Sequence, residues 1–367
     1  MFTTTVARSE RPSGYRDTRA VLQTTAPAVT GHPAVPTIHD VAALAGVSKS
    51  VVSRALAGAY GVAPSTTERV KRAAIDLGYV ANANARGMSA HRTHTLGVFV
   101  RDASTPFYGH LLTAFQLQAA ARGYRVVTAT GAGSFPVSEE RRALETLVSL
   151  RVEGLIVCSG ALPIADVLPF ARRIPTVVSG RPETNDAVSS AYCDERGGGR
   201  GLADHVADLG HRRVAVLTVA PAGSLTQSAR TDAMVRRLRA RGAEVLRIRS
   251  EDHGADPEDL DSFLEQVLRA GGVTAIMAPS DRWAVGVLES MRRRGLRAPD
   301  DLSVTGYDGV APLATELLGI TSWRQPLGLI GRLSVDDVVD QIDGRSTGVT
   351  HNAVDGTLVP GRTAARV

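Results

Sequence analysis

Apolar residues along this chain follow two rhythms, and the change between them divides it. From residue 37 to residue 80 they recur every three or four positions. Val41, Ala42 and Leu44 come first, then Val51, Val52, Ala55 and Leu56, then Val70, Ala73, Ala74 and Leu77. That spacing predicts three short helices, each with one apolar face. Ala45-Gly46-Val47-Ser48 joins the first two: Gly46 tolerates positive φ and Ser48 can cap the next helix. Ser65 or Thr66, next to Pro64, is the expected cap of the third helix, which ends at Gly78.

Beyond residue 95 the rhythm becomes short β-branched runs. They fall at 96–100, 124–130, 154–158 and 175–180, then at 213–219, 244–250, 274–280 and 303–308, with helical stretches between them. Strands alternating with helices predict parallel sheets with right-handed crossovers. Two successive series predict two similar α/β lobes, with a ligand cleft beyond the carboxyl ends of the strands. The expected organisation is a disordered tail (1–36), a helical domain (37–80), a polar hinge (81–95) and a two-lobed body (96–367).

Charge sharpens this picture. Residues 1–95 hold 11 Lys and Arg against 5 Asp and Glu, a net of +6, while the remainder nets −1. A small cationic module on a near-neutral body suits a polyanion partner. Two cysteines, Cys158 and Cys193, are too few for a disulfide framework and lie in no metal-binding spacing. No run of 18 apolar residues or secretory leader is visible, so no membrane partner and a cytoplasmic, nucleoid-associated location are expected. Gly197-Gly198-Gly199-Arg200-Gly201 lacks the frame of a phosphate loop, and no nucleophile–base pair stands out. No enzyme activity, cofactor or metal is therefore expected. A secreted sugar-binding protein would need a leader and would lack the helical head.

Within the second helix, Lys49, Ser50, Ser53 and Arg54 fall on the outer face. Small polar residues and cations there suit phosphate oxygens and base edges. TIHDVAALAGVSKSVVSRAL, ARGM, LGHRRVAVL, SDRWAVG, LSVTGYD and ITSWRQPL occur in that order, and together they resemble the lactose/galactose repressor (LacI) family of bacterial transcription regulators. The resemblance runs from about Thr37 to Thr363. It implies a helix-turn-helix headpiece and hinge followed by a two-lobed body like periplasmic sugar-binding proteins. It also implies a homodimer on pseudo-palindromic double-stranded operator DNA, most often repressing, under control of a small-molecule effector such as a sugar. An effector of another kind, such as a nucleobase, or none, stays open.

By that resemblance Lys49, Ser50 and Arg54 read bases, with Arg54 on a guanine edge, while Thr37, Ser53 and Thr66 meet phosphates and Ser48 completes the DNA set. Met88 matches the hinge residue that wedges into the minor groove. Ala81 and Asn84 stand where the family commonly has proline and a larger apolar residue, which implies weaker operator affinity. For the effector the resemblance implies Phe107, Tyr108, Asp194, Arg200, Arg230 and Asp281, with Ser224 and Thr226 in a closing loop. Arg181, Tyr192 and Trp283 are weaker matches. Gly180, Ser280, Gly309 and Trp323 depart from the common pattern, removing hydrogen-bonding groups from the pocket.

Overall fold

The computed structural model describes residues 36–80, 92–131, 136–250, 257–346 and 348–367. Residues 1–35 of the predicted tail and 81–91 of the predicted hinge, including Ala81, Asn84 and Met88, lie outside the described residues, and Thr95 at the end of the predicted hinge already belongs to the first strand. The chain divides into two compact units, Met1–Asn82 and Ala83–Val367.

The first unit holds α1 (Ile38–Ala45), α2 (Lys49–Ala57) and α3 (Pro64–Asp76). Thr37 opens α1, its backbone N–H and hydroxyl both donating to the Asp40 carboxylate at 2.7 Å. Gly46 ends α1 at φ 62°, and the Ser48 hydroxyl accepts the Val51 N–H at the start of α2. These two signals make the tight turn that the sequence predicts. The expected cap of α3 is corrected. Ala63 is the N-cap and Pro64 the first helical residue, so Ser65 and Thr66 lie inside the helix. Proline there needs no backbone donor and arrives with helical φ.

Val41, Ala45, Val52, Ala55, Val70, Ala73 and Ala74 form the core of this unit. Leu44, expected inside, is exposed, because the i, i+4 pair Val41 and Ala45 defines the buried stripe of α1. Arg69 Nε on α3 donates to the Ala45 carbonyl at 2.9 Å, tying α3 to the open end of α1.

The second unit holds two six-stranded sheets. The first-lobe strands are β1 (Thr95–Val100), β2 (Arg125–Thr130), β3 (Gly154–Cys158), β4 (Thr176–Ser179), β5 (Ser189–Cys193) and β11 (His351–Val354). The second-lobe strands are β6 (Arg213–Val219), β7 (Glu244–Ser250), β8 (Ala275–Met277), β9 (Ser303–Asp308), β10 (Thr321–Arg324) and β12 (Thr357–Val359). Their orders are β11-β5-β4-β3-β1-β2 and β12-β10-β9-β8-β6-β7. Pairing is parallel except between β10 and β12.

Helices cover both faces of each sheet. In the first lobe α4 (Pro106–Ala121) and α11 (Leu327–Ile342) pack on Leu96, Val98 and Val100. On the other face α5 (Val137–Ser149) and α6 (Ile164–Ala171) pack on Phe99, Leu155 and Val157. In the second lobe α7 (Glu195–Asp208) and α8 (Leu225–Ala240) cover Val214 and Val216. There α9 (Pro257–Ala270) and α10 (Asp281–Arg293) cover Ala215 and Leu217. Alternate strand residues feed opposite layers, as the period of two demands. Trp283, a weaker effector match in the sequence, sits in this last layer at 2 % exposure.

The chain passes between lobes three times: after β5, between β10 and α11, and between β11 and β12. The lobes also touch. Leu225 N–H donates to the Gly160 carbonyl at 2.8 Å, the His110 ring meets the Ala311 carbonyl, and Arg282 lies 3.8 Å from Asp102.

Candidate DNA interface and effector cleft

On the head, Ser48, Lys49, Ser50, Ser53 and Arg54 are all exposed, and Thr37 opens α1 on the surface. Thr66 is half-buried in the first turn of α3. The Ser48 and Ser50 hydroxyls lie 2.9 Å apart, and the Arg54 Nε makes only a long 3.4 Å bond to the Ser50 carbonyl. The Arg54 fork is thus held along α2, and its terminal nitrogens make no hydrogen bond to any other described residue. No acidic residue stands in the first turns of α2 or α3, so their N-terminal dipoles are not offset there. α2 therefore presents donors, hydroxyls and a forked cation on one solvent-facing surface.

In the body, the expected effector residues separate into surface groups and a buried core. Phe107 and Tyr108 are in the first turn of α4, their rings edge-to-face at 5.2 Å and packed on the first-lobe core. Asp194 caps α7, accepting the N–H groups of Arg196 and Gly197 at 3.1 and 2.9 Å. Exposed Arg200 reaches it only at 3.8 Å. Ser224 caps α8 by accepting the Gln227 N–H, and its hydroxyl meets that of Thr226 at 3.0 Å. Tyr192 is half-buried, and Arg181, 1 % exposed, donates to the Leu162 carbonyl.

Arg230 and Asp281 are instead almost wholly buried, at 3 % and 1 % exposure. Arg230 holds Glu195 through a two-pronged pair at 2.7 and 2.8 Å. Its Nη1 donates to Asp308 and to the Pro279 carbonyl, and its guanidinium lies 3.9 Å over the Tyr307 ring. Asp281 accepts the Ser322 hydroxyl at 2.6 Å and the Gly309 N–H at 2.7 Å. Two carboxylates, Glu195 and Asp308, thus hold one guanidinium near the carboxyl ends of β8 and β9, and a third, Asp281, lies close enough to Asp308 to feel its charge. Glu195 and Asp308 are the members that sequence reading missed. Their signal was placement: one follows β5 directly and the other ends β9, where such sheets put ligands.

The backbone here is specialised. Asp308 adopts φ 108° and Gly309 φ 63°. A Cβ on Gly309 would sit 2.5 Å from the Arg324 Cα, so the glycine is required by close approach of the β10 backbone. Strained φ at Asp308 is tolerated because its carboxylate is pinned by Arg230 and by the Gln325 amide.

Burial dominates the proton chemistry. Desolvation pushes Glu195 up to about 7 against the pull of Arg230. Desolvation and the neighbouring Asp308 push Asp281 up to about 7. The folded-state value of Asp281 lies above its ordinary 3.8, so its stabilisation is complete below that value and is lost as pH rises through about 7. His205 and His211, depressed by desolvation, act in the opposite direction, so the discriminating quantity is a difference between proteins. The stability cost of Asp281→Asn is expected to shrink by an amount on the order of 1–2 kcal/mol between pH 5.5 and pH 8. Urea midpoints at the two pH values measure it, and a cost independent of pH would contradict the raised value.

Comparison with known proteins follows this division. Residues 37–82 match the family described as bacterial regulatory proteins, lacI family, and residues 203–364 match a periplasmic binding protein-like domain. The chain is 32 % identical over 323 residues to the HTH-type transcriptional regulator CelR of Thermobifida fusca, covering 85 % of this chain and 93 % of that one. The chain belongs to the lacI family. The ribose operon repressor of Escherichia coli K12 is 28 % identical over 83 % of the chain and 93 % of its own length. Among solved structures, the lac repressor dimer bound to operator and the anti-inducer ONPF superposes with a TM-score of 0.74 at 25 % identity, covering 90 % and 99 % of the two chains. A CelR–cellobiose complex superposes at 0.64 with 30 % identity, covering 89 % and 99 %. This lacI-family regulator thus combines a helix-turn-helix head with a periplasmic-binding-protein-like body, as the sequence predicts. Among its described residues no helix is long and apolar enough to cross a membrane.

Proposed function

We propose that this lacI-family regulator is a homodimeric repressor that grips a pseudo-palindromic operator and is controlled by a sugar bound between its two lobes. The observation that carries the reading is the pairing of an outward cationic face on α2 with a buried carboxylate–guanidinium cluster at the strand ends of the second lobe. The accessible carboxylate of Asp194 can accept the paired hydroxyls of a sugar and the exposed Arg200 fork can donate to ring or hydroxyl oxygens, above a floor that the internally paired cluster holds rigid. Lys49, Ser50 and Arg54 read base edges, while Thr37, Ser48, Ser53 and Thr66 hold phosphates and set register. Met88 of the hinge reaches the minor groove at the operator centre. In the cleft, Asp194, Arg200 and the Phe107–Tyr108 pair line the entrance, and Asp281 and Arg230 frame the floor. Relatives named for cellobiose and ribose support a sugar over other metabolites.

Thermal unfolding with cellobiose, ribose, a panel of other sugars and the purine bases tests the ligand class. A true effector at 100 times its Kd adds about 2.7 kcal/mol of stability and raises the unfolding temperature. The same compound changes retention on a duplex selected from random sequence. A shift with a purine and none with any sugar would overturn the sugar assignment.

A further inference from the structure

Trp323 occupies a place in the fold that the cleft and the DNA face do not explain. It stands in β10, opposite Tyr307 of β9 and Leu358 of β12, one residue before the second passage between lobes. Three glycines make room for its indole. A Cβ on Gly201 would lie 2.6 Å from the far edge of the ring, and its three nearest neighbours would all be atoms of that ring. A Cβ on Gly198 would lie 2.7 Å from Nε1, and one on Gly356 would overlap Nε1. Gly198 and Gly201 are in the first helix after the first passage, and Gly356 lies within the third. One aromatic ring therefore lies against the helix that follows the first passage, stands at the start of the second and abuts the third. Of the glycines in the run 197–201, which has no phosphate-loop frame, Gly198 and Gly201 seat this ring, while Gly199 clears the α8 backbone at Arg230.

The same ring leads to the cleft floor. The space above Gly198 is shared by the Tyr307 hydroxyl, and the Tyr307 ring lies beneath the Arg230 guanidinium. Arg230 holds Asp308, and Gln325, two residues past Trp323, donates to that same carboxylate at 2.8 Å. Trp323 Nε1 and Gln325 Oε1 are both buried and have no hydrogen-bond partner among the described residues. A buried donor and a buried acceptor left unmatched cost stability in this arrangement.

We propose that Trp323 is the pivot of the body: a positioning residue that sets the angle between the lobes and couples it to the Arg230–Asp308 floor. Close packing makes such a ring a two-state element, because the passages cannot slide past it without exchanging one packed arrangement for another. The proposal rests on the two-lobed effector body described above. Its test uses no effector, so failure to find a ligand leaves it standing.

Spin labels on full-length protein at Arg141→Cys in the first lobe and Arg269→Cys in the second report the interlobe distance; both sites are exposed, while Cys158 and Cys193 are buried. Trp323→Val is expected to broaden the intrasubunit distance distribution at least twofold or move its mean by several ångströms. Gly201→Ala in that background, which refills the vacated space, is expected to narrow it again, whereas Gly201→Ala alone presses on the indole and shifts it. If Trp323→Val does not fold, Trp323→Phe carries the same test with a smaller displacement. A melting temperature that falls while the distance distribution matches the parent protein would reduce Trp323 to ordinary packing and overturn the proposal.

Discussion

Replacing Arg54 with alanine is expected to weaken binding to the selected operator by about 1–3 kcal/mol, roughly 5- to 150-fold, and to flatten discrimination at one base-pair position in each half-site. Arg54 stands on the outer face of α2, and among the described residues its terminal nitrogens carry no internal hydrogen bond. Its removal should therefore leave the fold of the head intact, since the core of Val41, Val52, Val70 and their neighbours is untouched. The planar fork that matches two acceptors on a guanine edge is lost together with one positive charge. Arg54→Lys separates the two contributions. It keeps the charge, so the salt dependence of binding stays close to that of the parent, but it cannot form the fork, so selectivity still falls. Binding isotherms against operator and scrambled duplex at two salt concentrations read both quantities. Unchanged base preference in Arg54→Lys would remove Arg54 from the base-reading set.

Much of this head was legible because its determinants are local. A left-handed Gly46, a serine cap three residues before Val51 and two apolar stripes at helical spacing specify α1, the turn and α2 without help from distant residues. Where the reading failed, a neighbour outweighed the local signal. Proline at 64 took the first helical position and moved the cap back to Ala63, although Ser65 and Thr66 are better capping residues. Eight of the strands were visible as β-branched runs. The other four, β5, β10, β11 and β12, are short and rich in serine, threonine or histidine. Nothing in their own sequence assigns them to a sheet. Their places follow from three passages between lobes, which are non-local by nature.

The cleft was legible by residue type and not by partnership. Sequence reading placed Arg230 and Asp281 on a ligand, and it gave no hint that nearly every donor and acceptor on them is already used inside the protein. Likewise Trp323 reads in the sequence as a lone departure from a pattern, Gly198 and Gly201 as part of a glycine run without a phosphate-loop frame, and Gly356 carries no signal at all. In the structure they are one arrangement, a large ring and the space cleared for it.

That distinction makes Arg230 the residue whose loss should cost most. If it were a free arm reaching into the cleft, Arg230→Met would lower effector affinity and change stability by no more than about 0.5 kcal/mol, the range for surface positions. Its burial at 3 % between Glu195 and Asp308 predicts otherwise. Removing the guanidinium leaves two carboxylates without their cation in a desolvated site, a loss of about 3–5 kcal/mol. Glu195 already sits near 7 with Arg230 beside it, so its carboxyl rises further once the arginine is gone. A carboxyl raised in the folded state contributes stability at low pH and loses it as pH climbs, so the deficit of Arg230→Met should grow from pH 5 to pH 8. Adding Glu195→Gln removes the stranded charge and should recover part of the loss, while Asp308 keeps the Gln325 amide as its remaining partner. Urea denaturation of the parent, the two single variants and the double variant at both pH values closes the cycle. A deficit below about 1 kcal/mol, flat with pH and additive with Glu195→Gln, would mean that the cluster opens readily to solvent and that Arg230 is free to meet a ligand directly.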